Sequence, residues 1–188
     1  MNHTKQRSRA LQLTITAALT AIGIIIPMVM PIRLVIGPAS YTLGSHIPLF
    51  LAMFISPSTA IFVSLGTALG FFISGFPIVI VFRALSHLLF VSVGAYYLDK
   101  DNYRLQTALQ RYLFSFVLNL IHGIGEVIVV FAFTATGSQG LDANFWYTLF
   151  VLVGIGTVIH GMIDFELSYY FGRVLNHRTQ IQLPNFVE

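Results

Sequence analysis

Three pairs of polar residues interrupt the apolar stretches of the chain, and in each pair the two residues are four positions apart. Four residues is about one helical turn, so both members of a pair lie on one face of a helix. An ionisable side chain in hydrocarbon costs about 2.5 kcal/mol or more, so it usually faces a bundle interior and marks a functional site. The pairs are Arg83 and His87, His122 and Glu126, and His160 and Asp164.

These side chains suit three kinds of chemistry: binding of a polar solute, relay of protons, or an ion-pair network that only sets helix register. Arg83 is predicted to pair with Glu126 or with Asp164, which would make the three stripes converge. Asn119 precedes His122 by three residues and extends its stripe. The sequence leaves all three uses open.

The elements that hold these residues must be membrane-spanning helices. Of the 188 residues, 56% are apolar and only 9% are charged, against about 25% charged in a soluble domain. The mean hydropathy of +0.80 applies to the whole chain. Apolar runs such as 22–26 and 127–133 are continuous, whereas a membrane β-barrel needs alternating segments. We therefore predict one all-α domain over residues 1–188.

A helix needs about 20 apolar residues to cross the hydrocarbon core, with about 17 tolerated, and six transmembrane helices are predicted, of which the second is short. Proline and serine turns separate several of them. The predicted spans are Ala10–Met30, Thr42–Ser56, Thr59–Ser74, Pro77–Leu98, Leu105–Thr134 and Phe145–Leu175.

The basic residues predict the orientation of these spans. Cytoplasmic loops carry an excess of Lys and Arg, and most of the basic residues fall on one side of the six-span arrangement. Both termini and the 99–104 loop are thus predicted to be cytoplasmic, with the 31–41, 75–77 and 135–144 loops external. The residues on the cytoplasmic side are Lys5, Arg7, Arg9, Lys100, Arg104, Arg111, Arg173 and Arg178; Arg33 is external, and Arg83 lies within a span.

Depth in the membrane suggests where a pocket would open. The fourth span runs inward and the fifth outward, so Arg83 and Glu126 both lie in outer halves, and an outward-opening pocket is predicted between these spans. His46, near the outer start of the second span, is a candidate to line it. For Asp164, in the sixth span, a cytoplasmic contact shared with Glu166 is the alternative.

Two external aromatic residues, Tyr41 and Trp146, are candidates for contacts with a ligand. The alternative for both is the belt of aromatic side chains at the membrane interface. Small residues form two further patterns, Ala17-x-x-x-Ala21 and Gly66-x-x-x-Gly70. Such spacing allows another helix to approach closely, and we assign the glycine pair to packing within the bundle.

Several chemistries are not expected. The chain has no cysteine, which excludes disulfides and thiolate metal sites. Protease, esterase and P-loop motifs are absent, so no catalytic residues, metal or cofactor are predicted. The few basic residues lie at the membrane edges, which gives no support for nucleic-acid binding.

The combination of features resembles a known family, the S-components of energy-coupling factor (ECF) vitamin transporters. The resemblance rests on six spans in fewer than 200 residues, basic cytoplasmic ends and three local motifs. These motifs are Ala17-x-x-x-Ala21, Ser45-His46-Ile47-Pro48 and Gly75-Phe76-Pro77. It implies a multi-pass protein of the bacterial cytoplasmic membrane that captures a vitamin with high affinity and is not an enzyme.

The resemblance also implies partners and site residues. S-components dock on a membrane coupling protein driven by two cytoplasmic ATPases, so ATP and Mg would be bound by the partner subunits. The docking surface maps onto Ala17 and Ala21. The family's vitamin site maps onto the region of Arg83, His87, Asn119, His122, Glu126 and Trp146, which joins Tyr41 and His46 as substrate-binding candidates.

The substrate stays open among hydroxymethylpyrimidine, pyridoxine, niacin and pantothenate. Pantothenate, a carboxylate, would pair with a free Arg83, whereas an Arg83 already neutralised by Glu126 would favour a neutral substrate. The main alternative function is an autonomous proton-coupled secondary transporter that uses Glu126, Asp164 and the histidines as a relay. An intramembrane enzyme is a third hypothesis.

Overall fold

The computed structural model describes residues 2–100, 105, 107–135 and 142–178, and side chains from residue 9 onward. Most of this chain is helical. Four helices are long and apolar enough to cross a membrane: Arg9–Val29 within α1 (Asn2–Val29), α4 (Ile78–Asp99), α5 (Ala108–Ala135) and the combined helix Ala143–Arg178. The predicted 99–104 loop, with Arg104, lies largely outside the described residues, as does most of the 135–144 loop.

The third predicted span is a 17-residue helix, α3 (Pro57–Ile73). At 1.5 Å per residue it is about 26 Å long, which is at the lower limit for crossing the hydrocarbon core. Pro57 stands at its first position, and the Ser56 hydroxyl caps it by accepting a hydrogen bond of 3.1 Å from the Thr59 amide. The helix runs parallel to α1 and packs along it.

The second predicted span, Thr42–Ser56, is wrong as a transmembrane helix. Only α2 (Ile47–Met53) is helical there, and seven residues extend about 10 Å, too short to cross. The preceding residues form a hairpin of β1 (Arg33–Ile36) and β2 (Ala39–Thr42), turning at Gly37 with a φ of 58°. β-Branched residues on both sides of a Gly-Pro turn favour strands over helix.

The hairpin, a turn and α2 together carry the chain back through the bundle. The pass ends at Ser56, whose hydroxyl accepts a 2.7 Å hydrogen bond from Gln12 in the first half of α1. Backbone that is not helical is tolerated at membrane depth only where protein encloses it, and β2 is largely buried. This pass takes the polar backbone of residues 39–46 into the centre of the fold.

The glycines of α3 confirm the predicted packing role of Gly66 and Gly70. A Cβ at Gly70 would lie 2.7 Å from the Ile24 Cα, and one at Gly66 would meet the Thr20 side chain. These two glycines therefore let α1 and α3 approach backbone to backbone. Ala17 and Ala21 lie on a different face of α1 and are exposed.

The last helix changes its winding along its length. It consists of α6 (Ala143–Tyr147), a π-helical segment Thr148–Ile155 and α7 (Gly156–Arg178). Wider π turns occur often at functional sites. Here the Leu152 carbonyl accepts a hydrogen bond from the Tyr41 hydroxyl, so the π segment ties the hairpin to the bundle.

An aromatic cluster fills the bundle around α2 and forms the floor of the polar site. The Phe50 ring lies 5.6 Å from Phe90 and 5.3 Å from Phe165, and all three side chains are fully buried. Phe90 in turn lies 4.4 Å from the His122 ring. The apolar core and the polar residues are therefore in direct contact.

Candidate functional site

The centre of the candidate site is a buried ion pair between α4 and α5. Arg83 Nη2 donates a 2.6 Å hydrogen bond to Glu126 Oε2, and both side chains are at most 5% exposed. The other Arg83 amino group donates to the Pro38 carbonyl and to Ser40 Oγ, which holds the hairpin against α4. Of Glu126 and Asp164, the two partners predicted for Arg83, the structure shows Glu126, and the helices that carry this pair converge.

Two imidazoles share the second oxygen of the Glu126 carboxylate. His87 Nε2 lies 3.3 Å and His122 Nε2 lies 3.4 Å from Glu126 Oε1. Thr157 completes the environment by donating a 2.5 Å hydrogen bond to Oε2. Asn119 is fully buried behind His122, with its Oδ1 3.5 Å from His122 Nδ1. The carboxylate thus connects the three helices α4, α5 and α7.

The structure decides between the two roles that the sequence left open for Asp164. This residue is fully buried inside the bundle and makes no cytoplasmic contact within the described chain. Its carboxylate accepts hydrogen bonds from the Gly44 amide at 3.0 Å and the His46 amide at 3.2 Å, and it lies 3.0 Å from His46 Nδ1. The reason is the unwound chain before α2, whose free amides need an acceptor in the bundle interior. Glu166, by contrast, pairs with Arg111 at 3.1 Å.

A small polar cavity lies between the hairpin and helices α3 and α4, reaching Glu126 of α5. One wall is apolar and the other carries hydroxyl, imidazole, guanidinium and carboxylate groups. Mostly apolar pockets with a few convergent polar groups are typical of small-molecule sites. The lining residues are Ser40, Thr42, Ser45, His46, Phe71, Ile80, Arg83, Ala84, His87 and Glu126.

The aromatic candidates separate in space. Tyr41 lies at the edge of the cluster, with its ring 5.7 Å from the His160 ring. Trp146 is 39% exposed and stacks on Phe150 at 5.7 Å and on Phe131 at 6.2 Å. The structure does not bring Trp146 to the polar cavity, whereas His46, Arg83, His87 and Glu126 line it.

Sequence reasoning missed four residues near the site. Ser40, Thr42 and Ser45 lie on the unpredicted hairpin and turn, for which an all-helical interpretation had no place. Thr157 carried a usable signal, because Thr157, His160 and Asp164 follow one another at helical spacings of three and four. The face of α7 that carries these three residues is directed toward the buried polar groups around Glu126 and His46.

A larger groove lies on the opposite, lipid-facing side of α4 and α5. It has about 820 Å³ of empty space and an almost wholly apolar lining that includes Val93, Leu113 and Val117, each about half exposed. It offers little that would recognise a polar solute. The smaller cavity, with its convergent polar groups, is therefore the candidate site.

Comparison with known proteins identifies the family. No protein-family model matches the chain, and no solved structure matches it. Among curated proteins, the niacin transporter NiaX of Lactococcus lactis subsp. cremoris is 41% identical over 183 residues, which cover 97% of this chain and 82% of that protein. Together with the apolar helices, this similarity makes the chain a multi-pass protein of the cell membrane. The chain belongs to the S-components of ECF vitamin transporters, whose role is vitamin uptake.

Proposed function

We propose that this chain captures niacin, a pyridine carboxylic acid, in the cavity between the hairpin and helices α3 to α5. The observation that carries the proposal is the 41% identity to a niacin transporter over nearly the whole chain. The buried cavity supports it independently, because it combines an apolar wall with polar groups that suit a small heterocycle. Niacin is also one of the four vitamins that sequence reasoning left open.

The lining of the cavity suits a flat aromatic ring with one polar substituent. Phe71, Ile80 and Ala84 form the apolar wall on which a pyridine ring would lie. Hydroxyls of Ser40, Thr42 and Ser45 stand on the opposite side and can donate to a ring nitrogen or to a carboxyl oxygen. Such polar groups fix the orientation of a ligand, while the apolar wall supplies contact area.

Charge distinguishes niacin from its amide. Arg83 is already paired with Glu126, and sequence reasoning associated this condition with a neutral substrate. Arg83 Nε makes no hydrogen bond within the described chain and remains available to a ligand. The carboxylate of nicotinic acid can therefore accept a hydrogen bond from Arg83 Nε, but Glu126 already neutralises the charge of that guanidinium. Nicotinamide is neutral and needs no positively charged partner. Comparing both ligands tests this point.

We further propose that uptake requires partner subunits. In this arrangement the hairpin end of the bundle faces the outside, both termini are cytoplasmic, and a membrane coupling protein docks on the exposed Ala17 and Ala21. Two cytoplasmic ATPases would bind ATP and Mg and drive release. The exposed small-residue face of α1 and the basic residues at the other end support this arrangement.

Calorimetric titration of the purified chain in detergent tests the substrate. We expect saturable one-to-one binding of nicotinic acid or nicotinamide and none of pantothenate, pyridoxine or hydroxymethylpyrimidine. Ser40→Ala should weaken binding by about tenfold, the loss of one hydrogen bond. His177→Ala, exposed at the end of α7, is the control and should bind as the native chain does. Binding of pantothenate alone would overturn the proposal.

Liposome uptake separates this function from the autonomous carrier. The chain of buried groups from Glu126 through the histidines to Asp164 is the observation that favours a proton relay. We expect no niacin uptake by the chain alone under a proton gradient, and uptake on addition of the coupling protein, the ATPases and ATP. Proton-driven uptake by the chain alone would favour the carrier.

A further inference from the structure

A cluster of imidazoles beside the Arg83–Glu126 pair has a geometry that vitamin capture alone does not explain. The rings of His46, His87 and His122 form a nearly equilateral triangle, with centroids 4.8, 4.8 and 4.7 Å apart. All three side chains are buried. They come from the turn before α2, from α4 and from α5, so only the tertiary structure brings them together.

We propose that these three histidines bind a divalent transition-metal ion such as Zn²⁺. Each offers one ring nitrogen, and the three nitrogens lie within 4.8 Å of one another. Zn–N bonds of about 2.0–2.1 Å place the ligands of a tetrahedral ion roughly 3.4 Å apart. The three nitrogens therefore need to approach one another by at most about 1.4 Å.

The surroundings of His46 orient it as metal ligands are usually oriented. Its Nδ1 lies 3.0 Å from Asp164 Oδ2, which also accepts the His46 amide. A carboxylate that accepts a hydrogen bond from Nδ1–H fixes the ring in the form whose Nε2 has a free lone pair. Asp164 thus acts as a positioning residue, and the ion would be held through the opposite nitrogen.

Unpaired polar atoms provide a second, independent observation. His87 Nδ1 and His122 Nε2 are buried and make no hydrogen bond to any residue that the structure describes. Buried polar atoms without partners are rare in folded proteins and call for an unseen ligand or ion. Glu126 Oε1, 3.3 Å from His87 Nε2, can accept a hydrogen bond from that nitrogen, which leaves His87 Nδ1 for the ion and the fourth coordination position open.

The charge of the site gives the ion a role. One guanidinium and two carboxylates, Arg83, Glu126 and Asp164, leave an excess negative charge when the imidazoles are neutral. A divalent cation would make the net charge of the site positive, and its open coordination position would accept the carboxylate of niacin. This role, unlike the site itself, rests on the proposed binding of niacin. Imidazole and carboxylate ligands suit Zn²⁺, and the chain has no thiolate to compete.

Zn²⁺ titration of the full chain tests the site. The chain, purified without a histidine tag and stripped with EDTA, should take up one Zn²⁺ with saturation. His87→Gln and His122→Gln should each weaken uptake at least about 100-fold, and Asp164→Asn about 10- to 100-fold. His177→Gln, exposed at the end of α7 and distant from the triangle, is the control and should retain uptake within about twofold.

Two results would overturn the site: no saturable uptake by the native chain, or a loss in His160→Gln with uptake retained in His87→Gln, which would place the ion between His46, His160 and Asp164. Because a histidine variant can fail to fold, the native chain is also loaded with Co²⁺. Its visible absorption should show a four-coordinate ion with nitrogen and oxygen ligands, and an octahedral hexa-aquo spectrum would contradict the proposal.

Niacin titrations with and without Zn²⁺ separate the two proposals. We expect nicotinic acid to bind at least about tenfold more tightly to the Zn-loaded chain, with little change for nicotinamide. Equal binding of the acid in both states would overturn the role of the ion while leaving niacin capture intact. Zn²⁺ uptake without binding of either pyridine would instead overturn the proposed function.

Discussion

The Arg83 guanidinium and the Glu126 carboxylate are joined by a 2.6 Å hydrogen bond between α4 and α5, in the part of the bundle nearest the hairpin. Arg83 also reaches Pro38 and Ser40 of the hairpin, and Glu126 receives Thr157 of α7. One ion pair therefore fixes the positions of four separate parts of the chain. Its removal should affect both the fold and the cavity.

Glu126→Gln should destabilise the protein strongly, because it leaves Arg83 charged and buried without a carboxylate. Breaking such a pair costs about 3–5 kcal/mol, whereas replacing both partners by apolar residues is often neutral. The double variant Arg83→Met with Glu126→Leu should thus melt at a higher temperature than Glu126→Gln. Thermal unfolding in detergent measures this order. Glu166→Gln, at the half-buried pair with Arg111, is the control, expected to cost about 0–1 kcal/mol.

Leucine at both Ala17 and Ala21 should abolish assembly with the coupling protein while leaving ligand binding unchanged. Both residues are exposed on α1 and lie away from the cavity, so the added side chains would block only the close approach of another helix. Co-purification with the coupling protein and calorimetry with niacin provide the two measurements. Ala135→Leu, exposed at the end of α5, should assemble normally. Normal transport by the double variant would show that the docking surface lies elsewhere.

Gly70→Ala should lower the melting temperature, because its Cβ would lie 2.7 Å from the Ile24 Cα and only a shift of backbone could relieve the clash. Overpacking of this kind costs about 1–3 kcal/mol. Gly125→Ala is the matched control: the nearest atom, in the Leu89 side chain, is 3.5 Å away, and alanine is the better helix former. A Gly70→Ala chain as stable as the control would contradict backbone contact between α1 and α3.

The absence of cysteine allows the orientation to be measured with single introduced cysteines. Ile32→Cys, exposed beside the hairpin, should react with a membrane-impermeant maleimide added to intact cells. Lys100→Cys and Ser58→Cys, exposed at the opposite end, should react only after the membrane is permeabilised. Labelling in the reverse pattern would place the hairpin, and with it the cavity, on the cytoplasmic side.

The sequence by itself determined the membrane character of the chain, because long apolar segments report their environment without reference to other segments. It also determined that Arg83 would meet an acidic partner, since an isolated charge inside a bundle is too costly. Spacings of four residues correctly placed His87, His122 and Glu126 on faces that turn inward. The spacing of Gly66 and Gly70 likewise predicted that another helix packs closely against α3.

Only the tertiary structure decided how the second pass through the bundle is built. The segment 42–56 is apolar enough to suggest a helix, but a turn forms its first part because Asp164, 120 residues from Gly44, accepts the free amides there. That contact holds Asp164 inside the bundle and brings Ser40, Thr42 and His46 to the cavity. Trp146 lies away from the cavity, because stacking on Phe150 and Phe131 holds its ring on the outside of the bundle. Local patterns cannot predict such contacts, because their energy arises between residues that the sequence keeps far apart.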